Sequence, residues 1–78
     1  MTQRDYEPGD YVKFEMKDEH SGDAEWMWLR VDLIDPDRRI LFGQLDSEPV
    51  VFTKELRLGQ EIAVSFDNVR DRRKPSDF

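Results

Sequence analysis

Seventy-eight residues with 18 acidic and 12 basic groups make one small acidic domain of net charge −6. The absence of cysteine excludes a disulfide framework and a thiolate metal site. No apolar run approaches the ~20 residues of a membrane span, and the polar stretch Met1–Tyr6 is not a secretory segment, so a cytoplasmic protein away from the membrane is the expectation.

Residues 1–9 end in the turn signal Pro8-Gly9 and read as a flexible lead-in. Tyr11 to Met16 alternates, which predicts a first strand with Val12, Phe14 and Met16 inward and Tyr11, Lys13 and Glu15 outward. Residues 17–23 are polar and turn-rich, and read as a loop. The longest strand follows, from about Ala24 to Ile34. Its period of two sends Met27, Leu29, Val31 and Leu33 to one face and Trp26, Trp28, Arg30 and Asp32 to the other.

Asp35-Pro36-Asp37-Arg38 reads as a turn in which proline presets the backbone and Asp35 caps with its side chain. Residues 39–45 should return antiparallel as a hairpin. Gly43 implies a bulge, a bend or a side chain laid over the backbone, with Trp28 as the candidate. Val50-Val51-Phe52 is a short β-favouring run, and residues 53–57 suit a single helical turn with Thr53 as a possible cap. Leu58-Gly59-Gln60 is a turn, and Glu61 to Phe66 is the last predicted strand, with Ile62, Val64 and Phe66 inward. Residues 72–78 read as a flexible tail.

These elements predict a mainly β domain over residues 10–71: a small five-stranded antiparallel SH3-like barrel or strongly curled sheet. The predicted core is Val12, Phe14, Met16, Met27, Leu29, Val31, Leu33, Phe42, Leu45, Val51, Leu58, Ile62, Val64 and Phe66.

The segment Glu25-Trp26-Met27-Trp28-Leu29-Arg30-Val31 resembles a YegJ-like bacterial domain of unknown function. That family pairs a Glu-x-Met-Trp-hydrophobic-x-Val strand with a later Gly-x-Leu-x-x-x-Pro segment. It then has a Leu-x-x-Gly-type turn and closes near Ile-x-Asp-Trp. The matching residues are Glu25, Met27, Trp28 and Val31, then Gly43, Leu45 and Pro49, then Leu58 and Gly59 at tighter spacing, and finally Val69 and Asp71. The resemblance covers residues 10–71. Asp46 and Ser47 depart from a nearby asparagine, and Arg72 stands in place of the closing tryptophan. The family carries no established activity, so the resemblance implies a bacterial source and no functional residue.

Catalytic, cofactor and metal residues are not expected. His20 is the only histidine, no nucleophile motif or glycine-rich phosphate loop is present, and Asp18, Glu19, His20 and Asp23 lack the spacing of a calcium loop. Residues 70–78 hold four basic and two acidic groups, against eight basic and sixteen acidic in residues 1–69. Arg70, Arg72, Arg73 and Lys74 therefore read as a solubilising end, and the acidic body argues against nucleic acid as a partner. Large aromatics beside an arginine are enriched at interface hot spots. Trp26, Trp28 and Arg30, with neighbouring Tyr11, are thus the candidate partner-binding residues of a non-enzymatic interaction module, a monomer or weak dimer that takes a protein or peptide. The alternative is an acidic inhibitor or immunity-type protein that neutralises a basic toxin or nucleic-acid-handling enzyme by carboxylate mimicry.

Overall fold

The computed structural model describes residues 6–77. Five antiparallel strands form one sheet: β1 Tyr11–Lys17, β2 Ala24–Asp35, β3 Ile40–Leu45, β4 Glu61–Ser65 and β5 Val69–Arg73. Their spatial order is β4-β3-β2-β1-β5. Among the described residues the only helical elements are two 3₁₀ turns, Phe66–Asn68 and Pro75–Asp77, and no helix is long and apolar enough to cross a membrane.

The order of the strands dictates the shape. β4 and β5 lie at opposite edges, yet only Phe66–Asn68 separates them in sequence. Four Cα–Cα steps reach at most about 15 Å, and a 3₁₀ turn reaches less. A flat sheet of five strands would hold its edges about 19 Å apart. The sheet must therefore curl until its edges approach at this corner. No ladder joins β4 to β5, so of the two expected shapes the chain adopts the curled sheet and not a closed barrel.

A stack of four side chains covers the corner. The Arg39 guanidinium lies 5.3 Å from the Phe66 ring, the Phe66 and Tyr6 rings are 4.9 Å apart, and the Arg72 guanidinium lies 5.3 Å from the Tyr6 ring. Arg39 also donates to Asp67 at 2.9 Å, and its carbonyl accepts from Phe66 N–H. Arg39 does this from a left-handed backbone, φ 60°, at the end of the β2–β3 turn. Asp35 caps that turn by accepting from Arg38 N–H at 3.2 Å, as the sequence predicts.

The concave face holds the core: Val12, Phe14, Met27, Leu29, Val31, Leu41, Leu45, Phe52, Leu56 and Val64. Met16, Ile34, Ile62, Phe66 and Val69 pack against it, half-buried. Four expected core members are corrected: Leu33, Val51, Leu58 and Phe42. Leu33, Val51 and Leu58 are exposed. Leu33 fails because β2 bulges: Val31 pairs with Gly43 and Leu33 with Phe42, so Asp32 is an extra residue without a cross-strand partner. The insertion reverses the alternation, turning Leu33 outward and Ile34 inward. Phe42 stays half-buried on the outer side, and its neighbour Leu41 is the buried residue.

Gly43 explains the bulge. A Cβ built there would collide with the Arg30 carbonyl oxygen and lie 3.1 Å from Val31 Cα. The close approach is the backbone of β2, and not the Trp28 ring expected from the sequence.

Two strand assignments are also corrected. Val50–Phe52 is not a strand, and Val69–Arg73 is one. β5 pairs with β1 from Tyr11↔Arg73 to Phe14↔Val69, so the expected domain end at residue 71 falls inside it. Residues 46–60 instead fold over the concave face, burying Phe52 and Leu56. The expected helical turn is a single hydrogen-bonded turn, with Leu56 N–H donating to Phe52 C=O at 3.0 Å.

Candidate functional site

The outer face of β1 and β2 gathers the four sequence candidates. Direct pairing sets Tyr11 beside Arg30, Lys13 beside Trp28 and Glu15 beside Trp26. Residues opposite one another in a ladder share a face, so these six side chains form two adjacent columns. Trp26 is 47% exposed, and Trp28 is half-buried. The difference follows from their surroundings. Trp28 lies in mid-strand, where its N–H donates to Ser47 Oγ at 2.9 Å and its carbonyl accepts from Asp46 N–H at 2.8 Å. Trp26 is the third residue of β2, close to where the strand starts, with β1 between it and β5.

Two hollows divide the candidates. Lys13, Trp26, Arg70 and Asp71 line a groove of about 350 Å³. Lys13 Nζ lies 5.7 Å from the indole centroid, so a cation leans over a half-exposed ring. Among the described residues, neither Lys13 nor Arg70 forms an ion pair, whereas Asp71 is held by Arg73 at 3.7 Å. The second hollow, about 230 Å³, is bounded by Tyr11, Arg30, Gln44 and Leu58. Arg30 reaches Asp32 at 3.9 Å. The structure thus brings Trp26 and Lys13 together and places Tyr11 with Arg30, with Trp28 between the two groups.

Several charged residues have structural roles that the sequence reading missed. Glu25 accepts from three successive peptide groups, Val50 at 2.8 Å, Val51 at 3.0 Å and Phe52 at 3.3 Å. Loss of hydration works to raise its pKa, but the three donors outweigh that and hold it below the ordinary glutamate value. These bonds occupy the N–H groups that a strand at 50–52 would have used.

Asp10 is the other case, a carboxylate only 1% exposed. It accepts from Glu7 N–H at 2.9 Å and pairs with Lys74 at 3.0 Å, while Lys74 also reaches Glu7 at 3.0 Å. Bonds to Asp10 and then Glu7 raise the Lys74 pKa above the ordinary lysine value. The stabilisation is therefore complete below the unfolded lysine value and is lost as pH rises through the higher folded value. The basic end read as solubilising is in part a clasp: Lys74 ties the C-terminal segment to the first turn, Arg72 stacks on Tyr6, and Arg70 donates to Asp67 C=O at 2.7 Å. The signal available in the sequence was the aspartate next to the strand-launching glycine, Gly9-Asp10.

The loop at residues 17–23 uses its polar groups on itself. Asp18 Oδ1 accepts from His20 N–H, and Ser21 Oγ accepts from Asp23 N–H. Among the described residues no cluster of three histidine, aspartate or glutamate side chains is arranged to hold a metal ion.

Compared with family models, curated proteins and solved structures, the chain matches none.

Proposed function

We propose that the protein is a small non-enzymatic interaction module that binds a protein or peptide segment on the outer face of β1 and β2. The half-exposed Trp26 beneath Lys13 carries this reading. An indole held on a sheet has little side-chain entropy to lose and offers a large apolar surface. The bound segment lays an apolar side chain against Trp26. It offers an acceptor, carboxylate or carbonyl, to Lys13 and Arg70, with Trp28, Arg30 and Tyr11 extending the surface. The resemblance to the YegJ-like bacterial family belongs to the same proposal and adds no activity to it.

Carboxylate mimicry is the weaker reading, because many acids are engaged internally. Asp10 holds Lys74, Glu25 holds three peptide groups, Asp35 holds Arg38, and Asp67 holds Arg39.

Capture from cell lysate by immobilised protein, with identification of the bound protein by mass spectrometry, tests the proposal. Trp26→Ala is expected to reduce capture at least ~tenfold, the effect of losing one aromatic hot spot. Its circular dichroism should match that of the parent. Capture should persist as salt rises. Equal recovery by parent and folded Trp26→Ala protein would reject this face, and a steep loss with salt would favour the acidic inhibitor.

A further inference from the structure

We infer that the free edge of β4 is a self-pairing surface, joining two copies of this chain antiparallel about a two-fold axis at Ala63. The phase of the β3–β4 ladder decides which peptide groups are available. Leu45 N–H donates to Gln60 C=O at 2.8 Å, and Phe66 N–H donates to Arg39 C=O at 2.9 Å. With Gly43 opposite Ile62 and Leu41 opposite Val64, these bonds make the even-numbered residues of this stretch the ones bonded to β3. The peptide groups of Glu61, Ala63 and Ser65 therefore point outward, along an edge that carries no further strand among the described residues.

The sequence of that edge is complementary to itself. When Ala63 faces Ala63 of a second copy, Glu61 faces the second copy's Ser65, and Ser65 faces its Glu61. All three outward residues then become hydrogen-bonded pairs, and no charge meets its like. On the outer surface Leu33, Phe42 and Ala63 already stand side by side across β2, β3 and β4. Pairing at the axis makes this apolar row continuous between the copies. The contact is isologous and closes at two chains, since each β4 has one free edge.

β5, the other edge, has the opposite character. Its sequence Val-Arg-Asp-Arg-Arg would put Asp71 against Asp71 and Arg70 against Arg72 in the equivalent arrangement. Centring the axis on Arg70, Arg72 or Arg73 would instead set arginine against arginine. Charged side chains are a standard block on edge-to-edge pairing. β4 has a single charge, Glu61 at its end, and none in Ile62-Ala63-Val64.

A cysteine-free chain makes the test direct. Opposed residues of a hydrogen-bonded pair lie about 5.5 Å apart at Cα, within disulfide range. Ala63→Cys is expected to form a covalent dimer on mild oxidation about tenfold or more faster than Asp37→Cys, a control in the β2–β3 turn. Sedimentation equilibrium of the unmodified protein should show a monomer–dimer mass shift with concentration. Ala63→Lys, which opposes two lysines, should abolish that shift with an unchanged circular dichroism spectrum. Equal cross-linking rates for the two cysteine variants, or a mass that stays monomeric across the concentration series, would overturn the proposal. Trp26→Ala should leave the mass shift intact, which keeps this edge separable from the Trp26 face.

Discussion

Glu25 shows how one side chain decides the path of fifteen residues. The segment from Asp46 to Gln60 has no strand of its own, and its Val50, Val51 and Phe52 N–H groups converge on this one carboxylate. Because the folded pKa is lowered, the stabilisation is fully present above the ordinary glutamate value and is lost as pH falls through the lowered one. Glu25→Gln keeps an acceptor but loses the charge. It should cost about 0.5–1 kcal/mol at neutral pH, below the ~1.5–3 kcal/mol usual for bonds to a charged group, since solvent reaches this one. Urea unfolding across the acid range checks this. The difference between parent and variant should shrink as pH falls below the glutamate range, and a pH-independent difference would contradict the assignment.

At the scale of the strand, the bulge in β2 sets which side chains reach the core. Asp32 is the added residue, and it exchanges the roles that simple alternation gives Leu33 and Ile34. Leu33, at 61% exposure, should tolerate Leu33→Thr within about 0.5 kcal/mol in the monomer. Leu41 is fully buried one strand away, and Leu41→Ala should cost about 2–5 kcal/mol. Chemical denaturation of the two variants distinguishes the bulged register from an unbroken one, which would make Leu33→Thr the costly change.

Alternation alone was enough to identify β1, most of β2, and β4. Val12, Phe14, Met27, Leu29, Val31 and Val64 lie in the core where the period of two puts them. It failed at β5, because Arg70, Asp71, Arg72 and Arg73 give no apolar rhythm. That strand is recruited by the backbone of β1, with only Val69 packed on the core. It failed at Val50–Phe52 for the converse reason: the residues favour a strand, but Glu25 had already taken their peptide groups. For the candidate site, the outward direction of Trp26, Trp28, Arg30 and Tyr11 followed from the same rhythm. Lys13 was outward by the same rhythm and meets Trp26 through the β1–β2 register, whereas Arg70 and Asp71 did not follow from it, because they reach Trp26 only after β5 has folded against β1.

For the whole molecule, the curl depends on the shortness of the link between its two edges. β5 completes the sheet, stacks Arg72 on Tyr6 and brings Lys74 to the buried Asp10. A chain ending at Asn68 would leave β1 unpaired on one side and Asp10 without its counter-ion. Asp10 is buried and would lose its exposed partner, and the lost ladder and counter-ion together remove a large part of the small stability of a domain this size. This truncation is expected to lose cooperative thermal unfolding. A truncated chain that melts in a single sharp transition would show that the sheet does not need its fifth strand.

The sequence by itself determined the all-β character, the three turns at 17–23, 35–38 and 58–60, and the inward side of the central strand up to Val31. Each of these follows from local backbone preference and a period of two, which neighbouring residues impose on one another. The tertiary structure alone decided the bulge at Asp32, the fifth strand, the open curl and the roles of Asp10, Glu25 and Lys74. Those depend on contacts between residues far apart in the chain: Gly43 against the Arg30 carbonyl, Glu25 against residues 50–52, and Lys74 against Asp10. No local pattern encodes such contacts, because they exist only once the sheet has curled and brought its two edges together.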